Sequence, residues 1–169
     1  MKRYLHIFLL TLLFAAAACT GGETLKPPVE GEYAPDFTLN NLDGKPITLT
    51  RFKGSIVLLN FWATWCPSCR EEIPSMASLN RIMRGKPFRM LTVSIDQGGR
   101  DAVVVYFKRS KTPLPTLIDN EGKVAGMYGI TGVPETFVID KKGVIIKKII
   151  GPYNWSGPEA LRLLNDAMK

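Results

Sequence analysis

Two cysteines separated by two residues are the side chains of this sequence best suited to do chemistry. Cys66 and Cys69 follow an apolar run over residues 55–62, which predicts a buried strand, and Pro67 places them at the start of a predicted helix. The dipole and the unpaired N–H groups of a helix N-terminus stabilise a thiolate over a thiol, so we expect Cys66 to be nucleophilic near neutral pH. Cys69 can close a short disulfide with it. The pair therefore predicts a reversible dithiol/disulfide switch.

The third cysteine, Cys19, ends a segment with the pattern of an export signal. A basic start precedes an apolar run over residues 4–14 and then four alanines. The run is too short for a membrane span and is typical of a signal peptide. A small-residue run that ends in cysteine resembles a bacterial lipoprotein signal, although Ala16 stands where leucine is commoner.

This resemblance implies that residues 1–18 are removed as a signal peptide and that Cys19 becomes the lipidated first residue of the mature protein. The alternative is an ordinary signal peptide cleaved nearby, with Cys19 incidental. Either signal exports the protein. We therefore expect it in a bacterial cell envelope, on the extracytoplasmic or periplasmic side, tethered to a membrane by lipid.

Composition and charge favour one globular domain. The chain has 169 residues, of which 46% are hydrophobic and 22% charged, and its formal net charge is +7. The basic residues are scattered or form short clusters, which indicates a solvated surface rather than a nucleic-acid partner.

The cysteine and histidine counts argue against a disulfide scaffold and against a metal site. If Cys19 is lipidated, a single closely spaced pair of cysteines remains. Exported domains that are stabilised by disulfides are instead rich in cysteine. A zinc site needs about four ligands, and the single histidine, His6, lies in the leader. A redox role is therefore the better interpretation of the remaining pair.

The rest of the chain divides into a tether and one domain. Residues 19–33 are rich in Gly, Pro and Glu without apolar periodicity, which predicts a flexible tether, and we expect the domain over residues 34–169. The predicted elements follow the order β-β-β-α-β-α-β-α-β-β-α, in which the first two strands form a small hairpin. This order predicts an α/β fold with a mixed central sheet flanked by helices on both faces.

Three motifs, in this order and spacing, carry a resemblance to a known family. They are APDFTL at residues 34–39, LNFWATWCPSC at residues 59–69 and GVPETFVID at residues 132–140. The sequence resembles the thioredoxin superfamily and, more closely, the exported thiol–disulfide oxidoreductases of the TlpA, ResA and DsbE/CcmG type. The resemblance implies a thioredoxin-like fold with an N-terminal β-hairpin and a central βα insertion, and an enzyme whose redox-active disulfide works with no bound cofactor.

The resemblance also implies roles for the residues of these motifs. Cys66 matches the exposed nucleophile, which exchanges with a partner through a mixed disulfide, and Cys69 matches the buried resolving thiol. Pro134 matches the family's cis-proline, which faces the cysteines. Without the motif, a trans proline that opens a strand is the plainer interpretation. The backbone of Val133 would offer an edge to which a substrate can pair.

A glutamate on the same helix is the candidate for proton handling. Glu72 lies three residues after Cys69, so the two share a helix face, and the family often carries a buried glutamate at this offset. A buried carboxylate near a thiol has a raised pKa and can exchange protons with it. The alternative is a solvated surface glutamate. Asn60 stands where cytoplasmic thioredoxins carry a buried aspartate, and this departure favours Glu72.

The remaining candidates concern contact with the substrate. Glu135 resembles the residue that tunes the active site in the DsbE/CcmG branch, and the alternative is an exposed glutamate at a strand start. We expect Trp65 and Pro67, on either side of the nucleophile, to lie on the surface that binds the partner. Trp62 is expected to pack in the core.

The leading function is a protein-disulfide reductase of the cell envelope. The Pro-Ser dipeptide between the cysteines, Glu72 and Glu135 favour cytochrome c maturation, in which the enzyme would keep the haem-binding cysteines of apocytochrome c reduced. Other envelope protein disulfides are the wider class of partner. The resemblance implies that a transmembrane thiol carrier donates the electrons.

Three alternatives stay open. The first is a general thiol reductase or a disulfide-forming oxidant. The reduction potential distinguishes a reductase from an oxidant, on a scale from about −270 mV for thioredoxin to about −120 mV for DsbA. A peroxiredoxin-type peroxidase usually has threonine three residues before its reactive cysteine, where this chain has Ala63. A copper chaperone would need a wider cysteine spacing and a distal histidine.

Overall fold

A computed structural model describes residues 26–169 of the chain. The predicted signal peptide, residues 1–18, and the predicted lipidation site at Cys19 lie outside the described residues, as does the first part of the predicted tether. Within residues 26–169, no helix is both long enough and apolar enough to cross a membrane.

Seven strands and four α-helices follow one another in the order that the sequence predicts. They are β1 (Thr38–Asn41), β2 (Pro46–Thr48), β3 (Ile56–Trp62), α1 (Pro67–Ile82), β4 (Phe88–Ser94), α2 (Gly99–Ser110), β5 (Thr116–Ile118), α3 (Lys123–Met127), β6 (Glu135–Ile139), β7 (Ile145–Ile150) and α4 (Pro158–Ala167). A short 3₁₀ helix, Leu49–Phe52, follows the β1–β2 hairpin.

The strands form one mixed sheet in the order β2-β1-β5-β4-β3-β6-β7. The three inner strands β3, β4 and β5 are parallel, while β6 pairs antiparallel with β3 and β7 pairs antiparallel with β6. Because β3 is an interior strand covered on both faces, all seven of its residues are buried, which explains its nearly continuous apolar sequence. The predicted mixed α/β architecture is confirmed.

Alternate residues of β3 face two separate cores. Ile56, Leu58 and Trp62 pack into the core beneath α1, α2 and α4, whereas Val57 and Leu59 pack into the core on the opposite face. By the same alternation, position 60 faces α1. Asn60 is therefore a buried polar side chain within a strand that is otherwise apolar, and it indicates that the functional site lies on this face of the sheet.

The first described residues, 26–34, form an ordered strap along β7. The Gly31 N–H donates to the Ile145 carbonyl at 2.8 Å, and the Ile145 N–H donates to the Glu32 carbonyl at 2.9 Å. The Lys148 N–H donates to the Glu30 carboxylate at 2.9 Å. The prediction of a flexible tether is therefore wrong for residues 26–33, because this segment satisfies hydrogen-bonding groups that the outer edge of β7 would otherwise leave unpaired.

Candidate active site

The two cysteines lie where the chain passes from β3 into α1. Cys66 is the N-cap of α1 and adopts an extended backbone, and Cys69 lies in the first helical turn. They form a disulfide with a Cα–Cα distance of 5.3 Å. The Cys69 N–H points at the Cys66 sulfur at 3.1 Å. On reduction, this N–H and the helix dipole would stabilise a Cys66 thiolate.

The second wall of the site is the segment that precedes β6. The Val133–Pro134 peptide bond is cis, and the Val133 carbonyl oxygen lies 3.4 Å from the Cys66 sulfur. The register of the sheet produces this contact, because β6 pairs with β3 at Glu135 opposite Phe61. The ends of two neighbouring central strands thus bring together residues far apart in the sequence.

Cys66 is less accessible than the resemblance implies. In the disulfide state it is 3% exposed and Cys69 is 0% exposed, so both cysteines are buried. The expectation of an exposed nucleophile is wrong for this state, because the Val133 carbonyl and the Ser68 hydroxyl each lie 3.4 Å from the Cys66 sulfur and cover it. The difference between the two cysteines is therefore small.

Exposed apolar side chains surround the buried disulfide. Trp65 is 63% exposed and Pro67 is exposed, whereas Trp62 is buried and stacks on Phe107. Ile150, which pairs with the first residue of β6, is 73% exposed. A cavity of about 620 Å³ lies elsewhere, near the C-terminal end of α1. An open apolar surface of this kind suits a protein substrate better than a small molecule.

Glu72 lies on the buried face of α1, one turn after Cys69. Its Oε1 accepts from the Asn60 amide at 2.8 Å, and its Oε2 accepts from the Tyr153 N–H at 3.2 Å. Burial raises the pKa of Glu72 to about 7, against the hydrogen bonds from Asn60 and Tyr153, which lower it. The indole N–H of Trp155 also faces the carboxyl group and lowers its pKa, although its geometry falls short of a hydrogen bond.

Asn60 connects Glu72 to the sheet. It is 1% exposed, and its amide nitrogen donates both to Glu72 and, at 2.9 Å, to the Thr136 hydroxyl. Its own amide oxygen is buried without a hydrogen-bond partner. The residue that replaces the aspartate of cytoplasmic thioredoxins is therefore a direct contact of the proposed proton-handling group.

A small surface cavity gives Glu72 access to solvent. Its volume is about 260 Å³, and it is lined by Glu71, Glu72, Ser75, Pro152, Tyr153 and Asn154. Glu71 is exposed at its mouth, while Glu72 lies at its buried wall. A carboxyl group that has a pKa of about 7 and borders this cavity can exchange its proton with solvent near neutral pH.

Glu135 is not the exposed glutamate of the alternative interpretation. It is 1% exposed, and its Oε1 accepts from the Thr131 N–H at 3.2 Å. Its Oε2 makes no hydrogen bond but forms an ion pair with the ammonium of Lys148 at 2.9 Å. The same ammonium lies 5.1 Å from the centre of the Phe137 ring. A buried carboxylate paired with a partly exposed ammonium thus adjoins cis-Pro134.

An aspartate that the sequence reasoning missed holds the loop before the nucleophile. Asp96, two residues after β4, is 3% exposed. Its carboxylate accepts from the Thr64 hydroxyl at 2.6 Å, from the Thr64 N–H at 3.0 Å and from the Ser94 hydroxyl at 2.7 Å. Thr64 lies two residues before Cys66, so Asp96 is a positioning residue for the site. Its signal in the sequence is an acid directly after a buried strand.

The arrangement is suited to thiol–disulfide exchange. A Cys66 thiolate attacks one sulfur of a substrate disulfide, forms a mixed disulfide and releases the other substrate sulfur as a thiolate. The Cys69 thiolate then attacks the Cys66 sulfur and releases the second substrate thiolate. The substrate gains two electrons and the Cys66–Cys69 disulfide is formed. The reverse sequence oxidises a substrate dithiol.

The chain is similar to proteins of known type over most of its length. The sequence pattern of the AhpC/TSA family matches residues 31–148. The thiol-disulfide oxidoreductase ResA of Bacillus subtilis is 30% identical over 159 residues, which are 89% of this chain and 88% of that protein. ResA of Bacillus cereus is 37% identical over 121 residues, 72% of this chain and 69% of that protein.

Solved structures show the same fold. A crystal structure assigned as the thiol:disulfide interchange protein DsbE of Chlorobium tepidum matches with a TM-score of 0.77 and 26% identity, over 84% of this chain and 99% of that one. StoA of Bacillus subtilis matches with a TM-score of 0.65 and 27% identity, over 78% of this chain and 95% of that one. The predicted thioredoxin-like fold is confirmed by these matches.

Proposed function

The chain belongs to the AhpC/TSA family of thioredoxin-like proteins and is a thiol–disulfide oxidoreductase, and we propose that it acts as a dithiol reductase outside the cytoplasm. The observation that carries the catalytic part of this proposal is the buried Glu72, whose pKa is about 7 and which lies on the helix face of Cys69. The reductase direction is supported by the resemblance to the ResA and DsbE/CcmG type. A reductase must deprotonate its resolving thiol to release the reduced substrate. A carboxylate with this pKa, one turn from Cys69, is a suitable base at neutral pH.

We propose that an export signal directs this activity to a bacterial cell envelope. We propose that Cys19 is lipidated, that the lipid holds the protein on the extracytoplasmic side of a membrane, and that the enzyme works with no cofactor besides its own disulfide. The basic, apolar and small-residue pattern of residues 1–19 supports this assignment.

We propose that the substrates are disulfides of envelope proteins, and in particular the haem-binding cysteines of apocytochrome c. A transmembrane thiol carrier would restore the dithiol. The support for this client is the resemblance to the DsbE/CcmG type together with the burial of Glu135 beside cis-Pro134. Trp65, Pro67 and the edge at Val133 would form the surface that receives the client.

Trapping of mixed disulfides in cells tests the proposal. The Cys69→Ala variant keeps the nucleophile but cannot resolve the mixed disulfide, so its clients stay attached through Cys66. The matched control replaces both Cys66 and Cys69 by alanine and should capture nothing. If apocytochrome c is absent from the trapped proteins, the assignment to cytochrome c maturation fails while the thiol–disulfide activity stands.

The reduction potential tests the direction of transfer. Equilibration with glutathione should place the protein toward the reducing end, nearer to the value of about −270 mV for thioredoxin. A potential near −120 mV, the value of the oxidant DsbA, would contradict the reductase assignment.

A further inference from the structure

We propose that the lipid-anchored protein holds its active-site end toward the membrane, so that its exchange partner is a protein whose reactive cysteines lie at the bilayer surface. This inference rests on the proposed lipidation of Cys19. It is carried by the strap, residues 26–34, which determines where the chain leaves the folded domain.

The strap runs toward the active-site end of the sheet. It is antiparallel to β7, as the bridge between Tyr33 and Val144 shows. Its N-terminal end therefore points to the C-terminal end of β7, where Ile150 pairs with Glu135. Glu135 directly follows cis-Pro134, so this is the end of the sheet that carries the disulfide.

A close contact holds the start of the strap near the active site. Pro27 packs so tightly on Gly129 that a Cβ at residue 129 would overlap the proline ring. Gly129 precedes Val133 by four residues, a span of about 15 Å at most. The Val133 carbonyl lies 3.4 Å from the Cys66 sulfur. Together, these distances place Pro27, where the described part of the strap begins, within about 25 Å of the Cys66 sulfur.

The remaining tether is too short to turn the domain over. Residues 19–25 are seven residues, which reach at most about 25 Å when fully extended. A domain of this size has a radius of gyration of about 14 Å and hence a diameter of about 35 Å. A tether that leaves the active-site end of the sheet would have to span this diameter before the far end of the domain could face the membrane, and seven residues are too short to do so. The exposed Trp65 and Ile150 lie on the end that the tether holds near the bilayer.

The C-terminus provides a matched control because it lies at the far end of the sheet. The Lys141 ammonium donates to the Met168 carbonyl, and Lys141 lies in the turn between β6 and β7. A domain anchored through its C-terminus would therefore present the active site away from the membrane, with the same site and the same strap.

The experiment measures how fast the dithiol reaches a disulfide fixed at the membrane surface. The lipidated chain is reduced and added to phosphatidylcholine vesicles that contain phosphatidylethanolamine with a pyridyl disulfide on its headgroup. The Cys66 thiolate attacks the lipid-side sulfur and releases pyridine-2-thione, which is followed by its absorbance. Cys69 then displaces the lipid thiol and closes the protein disulfide. Each rate is divided by the rate with a soluble pyridyl disulfide.

Two further forms complete the comparison. One is the lipidated chain with a Gly/Ser insertion of about 30 residues after Gly22, whose root-mean-square span of about 30 Å frees the orientation. The other is the mature chain from residue 20, attached to nickel-chelating lipid by a histidine tail after Lys169. The native tether should react with the lipid disulfide about tenfold faster than the C-terminally anchored form, and the long tether should fall between them.

The outcomes separate the two proposals. Equal normalised rates for the three forms, with the lipid present on Cys19, would overturn the orientation and leave the anchor intact. A mass spectrum of the chain isolated from membranes that lacks the lipid on Cys19 would overturn the anchor and, with it, this inference.

Discussion

Replacement of Glu72 by glutamine should change how stability depends on pH, by an amount that follows from the burial of its carboxyl group. The pKa of Glu72 is about 7 in the folded protein against 4.5 for the free side chain. The folded state therefore binds this proton more tightly than the unfolded state does. Its contribution to stability is fully present below pH 4.5 and is lost as the pH rises through 7.

The expected size is about 3 kcal/mol, from a difference of about 2.5 pH units at about 1.4 kcal/mol each. The Glu72→Gln variant has no such titration, so its free energy of unfolding relative to wild type should rise by about 3 kcal/mol between pH 4.5 and pH 8. The glutamine amide has only one oxygen, so it cannot accept hydrogen bonds from both Asn60 and Tyr153 as the carboxylate does. The resulting loss of stability does not depend on pH, so only the change in the free energy of unfolding across the pH range tests the reasoning.

The assay is urea unfolding of the oxidised protein at a series of pH values. Glu71→Gln is the matched control, because Glu71 is exposed beside Glu72, and its curve should run parallel to that of wild type. The single histidine, His6, lies in the predicted leader, so no histidine titration overlaps the signal in the mature chain. Parallel curves for Glu72→Gln and wild type would refute the assignment of a raised pKa to this buried carboxyl group.

Three other changes test the surroundings of the disulfide. Asp96→Ala should slow reaction of the dithiol with a soluble pyridyl disulfide about tenfold, because the loop before the nucleophile is no longer held. Asp119→Ala removes an equally buried carboxylate that accepts from two N–H groups of α3, and an equal slowing there would show that the effect is only structural. Lys148→Met should lower the free energy of unfolding by about 3 kcal/mol in urea titrations, because Glu135 then keeps a buried, unpaired charge. Lys148→Arg should restore most of the loss, and similar values for both variants would contradict the ion-pair argument. Trp65→Ala should slow reduction of insulin disulfides severalfold while leaving the small pyridyl disulfide unaffected, and equal effects on both substrates would argue against a docking role.

Local patterns in the sequence were sufficient to predict the sheet and the redox pair. The apolar run of residues 55–62 marks a strand buried on both faces, and the structure places β3 in the interior of the sheet, between β4 and β6. Pro67 and the cysteines mark the start of α1 because helix N-termini have a distinctive composition. The spacing of Glu72 from Cys69 predicted its side of the helix, since i and i+3 positions share a face.

Contacts between segments that are far apart in the sequence could not be predicted from such local patterns. Asp96 and Thr64 are 32 residues apart, and only the parallel pairing of β3 and β4 brings them together. The strap was missed because it pairs through backbone groups, which leave no pattern of apolar side chains. The ion pair of Glu135 depends on the register between β6 and β7, which places Lys148 on the neighbouring strand.

The amide of Asn60 can serve Glu72 in both of its charge states. With Glu72 ionised, the amide nitrogen donates to the carboxylate and to the Thr136 hydroxyl. Rotation of the amide by half a turn would exchange this nitrogen for the oxygen that has no partner, which could then accept from a protonated Glu72 and from the Thr136 hydroxyl. An aspartate at this position offers only acceptors when ionised and would oppose a second negative charge. A side chain with one donor end and one acceptor end lets the proton come and go without movement of the backbone.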